Sequence, residues 1–142
     1  MSRTRLINIG VVSVLATVAV WVTWSLIGDD EGYTDGPVIS LGDQDDHDTA
    51  EVAGTLRMEN GCLLVDEDVV FFTVDSSWDQ EEDSVAFDDA PDVEVGGHFQ
   101  GGGGYYQRGD LARLVEDEVV REAVLKCMAA TGSQTAVAAH PA

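Results

Sequence analysis

Basic residues are what this sequence has least of once its first positions are passed. Beyond Arg3 and Arg5 only Arg57, Arg108, Arg113, Arg121 and Lys126 stand against 27 acidic residues, so residues 29–142 carry a net charge of −22. A nucleic-acid-binding surface needs clustered Lys and Arg to displace counterions from phosphates, and that class is excluded. Cysteine is scarce too: Cys62 and Cys127 have no third thiol to compete with, which leaves one intramolecular pairing. His47, His98 and His140 are the only histidines, and none stands in a metalloprotease pattern or beside a Gly-x-Ser-x-Gly elbow. No catalytic residue, metal ligand or cofactor is assigned. At 142 residues, less a hydrophobic leader, the chain has room for one folded core.

What is present begins with that leader. Leu6 to Ile27 holds no charged residue, and at about 1.5 Å per residue it spans the roughly 30 Å hydrocarbon layer. Arg3 and Arg5 mark residues 1–5 as a cytoplasmic tip, and Trp21 and Trp24 fall where aromatic rings settle at headgroup depth. The expectation is a single-pass transmembrane helix over 6–27 with an extracytoplasmic C-terminal domain. A cleaved signal peptide wants a shorter apolar region and a small-x-small exit, which Ser25 to Gly28 do not provide.

Residues 28–50, rich in Gly and Asp, predict an acidic flexible linker extended by self-repulsion. The run Asp43 to Asp48 lacks the glycine and distal Glu of a calcium loop. The folded domain is expected over 51–140. Val52, Gly54, Leu56 and Met58 alternate with polar neighbours as in a half-buried strand. Asn60-Gly61 supplies the positive φ angles of a tight hairpin into Cys62 to Val65. Val69 to Val74 reads as a strand covered on both faces. Ser76 to Asp83 reads as a polar loop around Trp78, and Val85 to Phe87 with Val93 to Val95 as another hairpin.

Gly101 to Gly104 lacks the Gly-Lys-Ser/Thr of a phosphate loop, and Tyr106 stands where a dinucleotide fingerprint requires glycine. The run is better read as a sharply bent or bulged strand where a barrel closes and backbones approach. One helix is expected at about 116–130, with Val119, Val120, Ala123, Val124 and Cys127 on its buried face, a break near Glu116 and Gly132 at its end. Glu122 and Lys126 are spaced for an ion pair on its outer face. Thr135 to Ala139 closes the fold as a strand. The fold class is therefore mainly β with one helix: a small five- to six-stranded barrel of the OB or SH3 type behind a transmembrane helix.

Cys62 and Cys127 both point inward in this reading and are expected to form a disulfide in an oxidising compartment. Trp78, Tyr105 and Tyr106 are the candidate ligand-binding residues, although an aromatic at position 78 also suits the closure of one barrel end. A carboxylate pair such as Asp79 and Glu82 is the candidate for hydrolysis.

The segments Gly61-Cys62-Leu63-Leu64-Val65-Asp66, Trp78-Asp79 and Val95-Gly96-Gly97, the glycine run into Tyr105-Tyr106, and Cys127 ahead of Thr135-Ala136-Val137-Ala138 resemble uncharacterised exported domains of actinobacteria carried behind one transmembrane helix. The resemblance covers about 52–139. This chain departs from it in having no proline before the Trp78 segment and a longer acidic helix before Cys127. It implies a small barrel with a cysteine bridge outside the cytoplasm, and no activity. The functional expectation is a membrane-tethered interaction or accessory module with an envelope protein partner and no nucleic acid. The alternatives are a small-ligand or cation-binding barrel and a small hydrolase.

Overall fold

Asn60 and Gly61 take φ of 52° and 76°, the paired left-handed angles that match a two-residue turn to the twist of its flanking strands. The hairpin they close joins β3 (Ala50–Glu59) to β4 (Cys62–Val65), with Leu56 opposite Val65. A second tight turn at Asp66-Glu67 leads to β5 (Asp68–Phe72), antiparallel to β4. Every residue of β5 after Asp68 is buried, as expected for a strand covered on both faces. The computed structural model describes residues 31–142.

Two short strands precede this hairpin, β1 (Tyr33–Asp35) and β2 (Val38–Ser40). The expected flexible linker over 28–50 is thereby corrected for Tyr33 to Ser40, its first three residues lying outside those described. The net acidity of that stretch conceals the run Val38-Ile39-Ser40, which is fully buried, and β2 pairs in parallel with β5 through Ser40 and Phe72. The Ser40 hydroxyl donates to the Val74 carbonyl at 2.8 Å and accepts from the Gly42 amide at 2.9 Å, so its burial carries no unmet polar group.

After β5 the chain forms a separate antiparallel sheet of β6 (Ser76–Asp79), β7 (Ser84–Phe87) and β8 (Val93–Glu94). The β7–β8 hairpin agrees with the sequence reading. Position 78, expected in a loop, stands in a strand instead. Its polar neighbours gave no strand pattern, and its pairing partner Val85 lies across the turn.

Next come β9 (His98–Gln107), α1 (Arg108–Leu114), α2 (Glu118–Thr131) and β10 (Thr135–Pro141). Two helices replace the one expected, with the break at Val115 to Asp117 where the change of apolar face indicated it. Asp117 caps α2 by accepting from the Val120 amide, and Gly132 ends it at φ 73°. Val120, Val124, Cys127 and Met128 are buried on α2, a spacing of four, three and one that leaves Val119 52% exposed, contrary to the face first drawn. Among the described residues the ion pairs are Arg57–Glu59 and Arg113–Asp110, not Glu122–Lys126.

The large sheet runs β1-β2-β5-β10-β9-β3-β4, and the β4–β5 ladder closes five of its strands into a barrel. In chain order the barrel strands are first, second, third, fifth and fourth around the wall, the third and fifth being parallel. One parity of side chains faces inward: Leu56, Leu63, Phe72, Phe99 and Val137 belong to a single buried cluster that Val85 and Phe87 of the small sheet complete. The other parity, including Leu64, Phe71, Ala136 and Ala138, builds a second core under α1 and α2.

The glycine run lies in mid-strand, and the β9 ladders with β3 and β10 proceed without a skipped residue. The expected bulge is absent. The close approach of backbones expected there is present: a Cβ at Gly101 or Gly103 would overlap the carbonyl oxygen of His140 or Ala138. Cys62 and Cys127 form the expected disulfide, Cα atoms 5.7 Å apart, joining the outer wall of β4 to α2. The Leu6 to Ile27 segment lies outside the described residues. Among those described, no helix is long and apolar enough to cross a membrane.

Candidate functional site

The three aromatic candidates do not meet. Trp78 is half-buried against the inner cluster and lies over Gly36 in the β1–β2 turn, and its amide donates to the Asp35 carboxylate at 2.9 Å. Tyr105 and Tyr106 are neighbours in a strand and so face opposite ways. Tyr105 is 51% exposed, its hydroxyl 3.3 Å from the Glu51 carbonyl, whereas Tyr106 packs beside Phe71 against the outer core. Strand alternation alone would have separated this pair.

The barrel interior is filled. Phe72 meets Phe87 edge-on with ring centroids 5.2 Å apart, and Phe99 lies 6.2 Å from Phe72 and 6.4 Å from Phe87. Concavities are therefore on the surface. The one that Tyr106 lines is a cavity of about 170 Å³ between residues 41–48 and the outer wall, floored by Leu41, Phe71, Val115 and Ala138. It adjoins a shallower groove lined by Leu41, Gln44, Leu114, Val115, Glu116 and Asp117.

Residues 41–48 form a strap across the wall, although the sequence reads them as part of a linker. The Leu41 and Gln44 amides donate to the Phe72 and Thr73 carbonyls at 2.8 and 3.1 Å. Asp43 accepts from the Asp75 amide at 3.1 Å, and Asp48 from the Tyr106 hydroxyl. His47 lies 3.2 Å from the Thr73 hydroxyl and stacks obliquely on His140, whose Nε2 is 3.3 Å from the Asp48 carbonyl. Two carboxylates of the acidic run thus serve as local acceptors. The partners are 32 and 58 residues away, which is why no window of sequence exposed them.

Burial first, then the hydrogen bond to Asp48 and that carboxylate's charge, push the Tyr106 phenol up to about 12. The folded value lies above the ordinary 10, so the associated stabilisation is complete below pH 10 and is lost as pH rises through 12. An absorbance titration is expected to show one phenol ionising near pH 12, and Asp48→Asn to move that midpoint toward 10. A midpoint unmoved by Asp48→Asn would mean that no such strap contact forms.

At the α1–α2 corner the Asp117 carboxylate accepts from both the Val120 and Gly32 amides, at 3.0 and 2.8 Å. Arg121 turns inward there, donating to the Val115 carbonyl at 3.1 Å. Leu114, 52% exposed, lines the groove. Elsewhere, Asp68 borders a polar cleft with Arg57, Glu67 and Ser133. Burial, then the charges of Glu67 and Asp66, raise the Asp68 carboxyl.

Asp43, Asp75, Asp88, Asp89 and His140 surround a pit of about 250 Å³ floored by Val74 and Phe87. Among the described residues no three His, Cys, Asp or Glu side chains are arranged to hold a metal ion. Asp79, the hydrolytic candidate, accepts from the Glu81 and Glu82 amides at 3.0 and 3.2 Å and so caps its own turn. Compared with known protein families, curated proteins and solved structures, the chain finds no match.

Proposed function

We propose that the chain is a membrane-tethered, extracytoplasmic module that binds another envelope protein and has no catalytic role of its own. The observation that carries the interaction reading is the solid barrel. Three phenylalanines fill its interior, Trp78, Tyr105 and Tyr106 share no cavity, and recognition is left to surface grooves. The uncharged Leu6 to Ile27 stretch supports the tether. The Cys62–Cys127 bridge suits an oxidising compartment.

The resemblance to actinobacterial exported domains points the same way. We read the barrel as OB-like, because its third and fifth strands close it in parallel. Barrels of that type commonly bind oligonucleotides over their second and third strands. Here that face carries Leu64 and Phe71 beneath the helices, and the −22 charge repels phosphates.

Protease added to intact cells is expected to digest the acidic domain. Photo-crosslinking residues placed at exposed positions 82, 94, 116 and 122 of the full chain are expected to give a discrete protein adduct in native membranes from at least one of them. A domain protected from protease, with thiols open to alkylation in the cytosol, would sink the tether. Failure of all four positions to crosslink would sink the interaction.

A further inference from the structure

We infer that the groove at the α1–α2 corner receives a cationic, amphipathic segment of a neighbouring membrane protein, an assignment that rests on the tethered-module reading. Its floor carries the apolar side chains of half-buried Leu41 and of Leu114, 52% exposed, over buried Val115. Its rim is acidic. Glu116 and Asp117 border one side and Asp46 lines the adjoining cavity, while Arg121 is spent on the Val115 and Glu116 carbonyls and Arg113 is paired to Asp110. A surface that is greasy at its base and anionic at its edge complements a segment that alternates apolar residues with Lys or Arg.

Chain reach fixes where this groove can be. Gly32 is bonded to Asp117 in the rim, and it stands five positions beyond Ile27 at the end of the uncharged stretch. Fully extended, five residues reach about 17 Å. In a tethered molecule the corner therefore stays within that distance of the point where the chain leaves the bilayer, and its occupant must come from the same layer. A second copy is a poor candidate, because each exported part carries −22 and presents the same anionic rim. Anionic headgroups meet the same repulsion. A basic juxtamembrane segment is attracted on both counts.

The test uses the full chain in zwitterionic nanodiscs and a labelled Leu/Lys peptide of about four helical turns, with a Leu/Glu peptide of identical pattern beside it. Anisotropy is expected to report binding of the Lys peptide alone. Leu114→Ser and Glu116→Lys each weaken it by about tenfold or more. Glu82→Lys, the same charge reversal in a separate cleft, changes it by less than about twofold. All three are exposed positions, and unaltered thermal unfolding of each variant verifies the fold.

Equal weakening by Glu82→Lys, or equal binding of the Glu peptide, overturns the groove assignment. So does adsorption to phosphatidylglycerol vesicles that Leu114→Ser abolishes while the Lys peptide fails to bind, since that gives the face to lipid. A native-membrane adduct from position 94 with none from 116 likewise removes the groove and leaves the tethered module standing. Protection from external protease removes the tether instead.

Discussion

Replacing Cys62 and Cys127 together by serine is expected to lower the unfolding free energy by about 4 kcal/mol. Their sequence separation is 65, and closing a loop of that size in the unfolded chain removes entropy worth roughly that amount at 25 °C. Small domains have about 5–15 kcal/mol in all, so the double variant should be close to unfolding at 37 °C. The location of the bridge adds to the effect. It joins the outer wall of β4 to the middle of α2, and the second core of Leu64, Phe71 and Val124 lies around it. Urea denaturation of the double variant, with reduced wild-type chain as a reference, checks this. A loss below about 1 kcal/mol would mean that packing of α2 alone closes that core.

Gly103→Ala is the second large effect. The added Cβ points into the barrel and falls on the Ala138 carbonyl oxygen, a backbone atom held in the β9–β10 ladder, with the Val52 methyl 3.1 Å away. Neither neighbour is the far end of a flexible side chain. The ladder must spread, at a cost of about 3 kcal/mol, the upper end for overpacking. Gly109→Ala is the internal control. Nothing lies within 4 Å of a Cβ there, the position is helical, and the substitution should stabilise by up to about 1 kcal/mol. If Gly103→Ala unfolds at the wild-type midpoint, the close approach of β9 to β10 is not as described.

Local chemistry was what the sequence displayed best. Asn60-Gly61 announced a turn because few residue pairs accept two positive φ angles, and Gly132 announced a helix end for the same reason. The closing strand was legible at 135–139 and extends to Pro141. Long-range pairing was not legible. Val38 to Ser40 form too short a run to outweigh the surrounding aspartates, and their burial depends on β5, more than 30 residues on. Of the two neighbouring tyrosines only Tyr106 lines the cavity under the strap, because adjacent residues of one strand cannot serve the same face. Leu114 gave no signal of exposure, since an apolar residue three positions after the buried Leu111 fits the period of a buried helix face.

Strand β10 stands between β5 and β9, so its seven residues contribute two of the five seams of the barrel. Emerging from its amino end, the chain would expose two open strand borders, rich in Val, Phe and Gly, until those residues arrived. Among the described residues no second strand pairs along both β5 and β9. Maturation is then a single late event, during which the nascent domain depends on its charge to remain in solution.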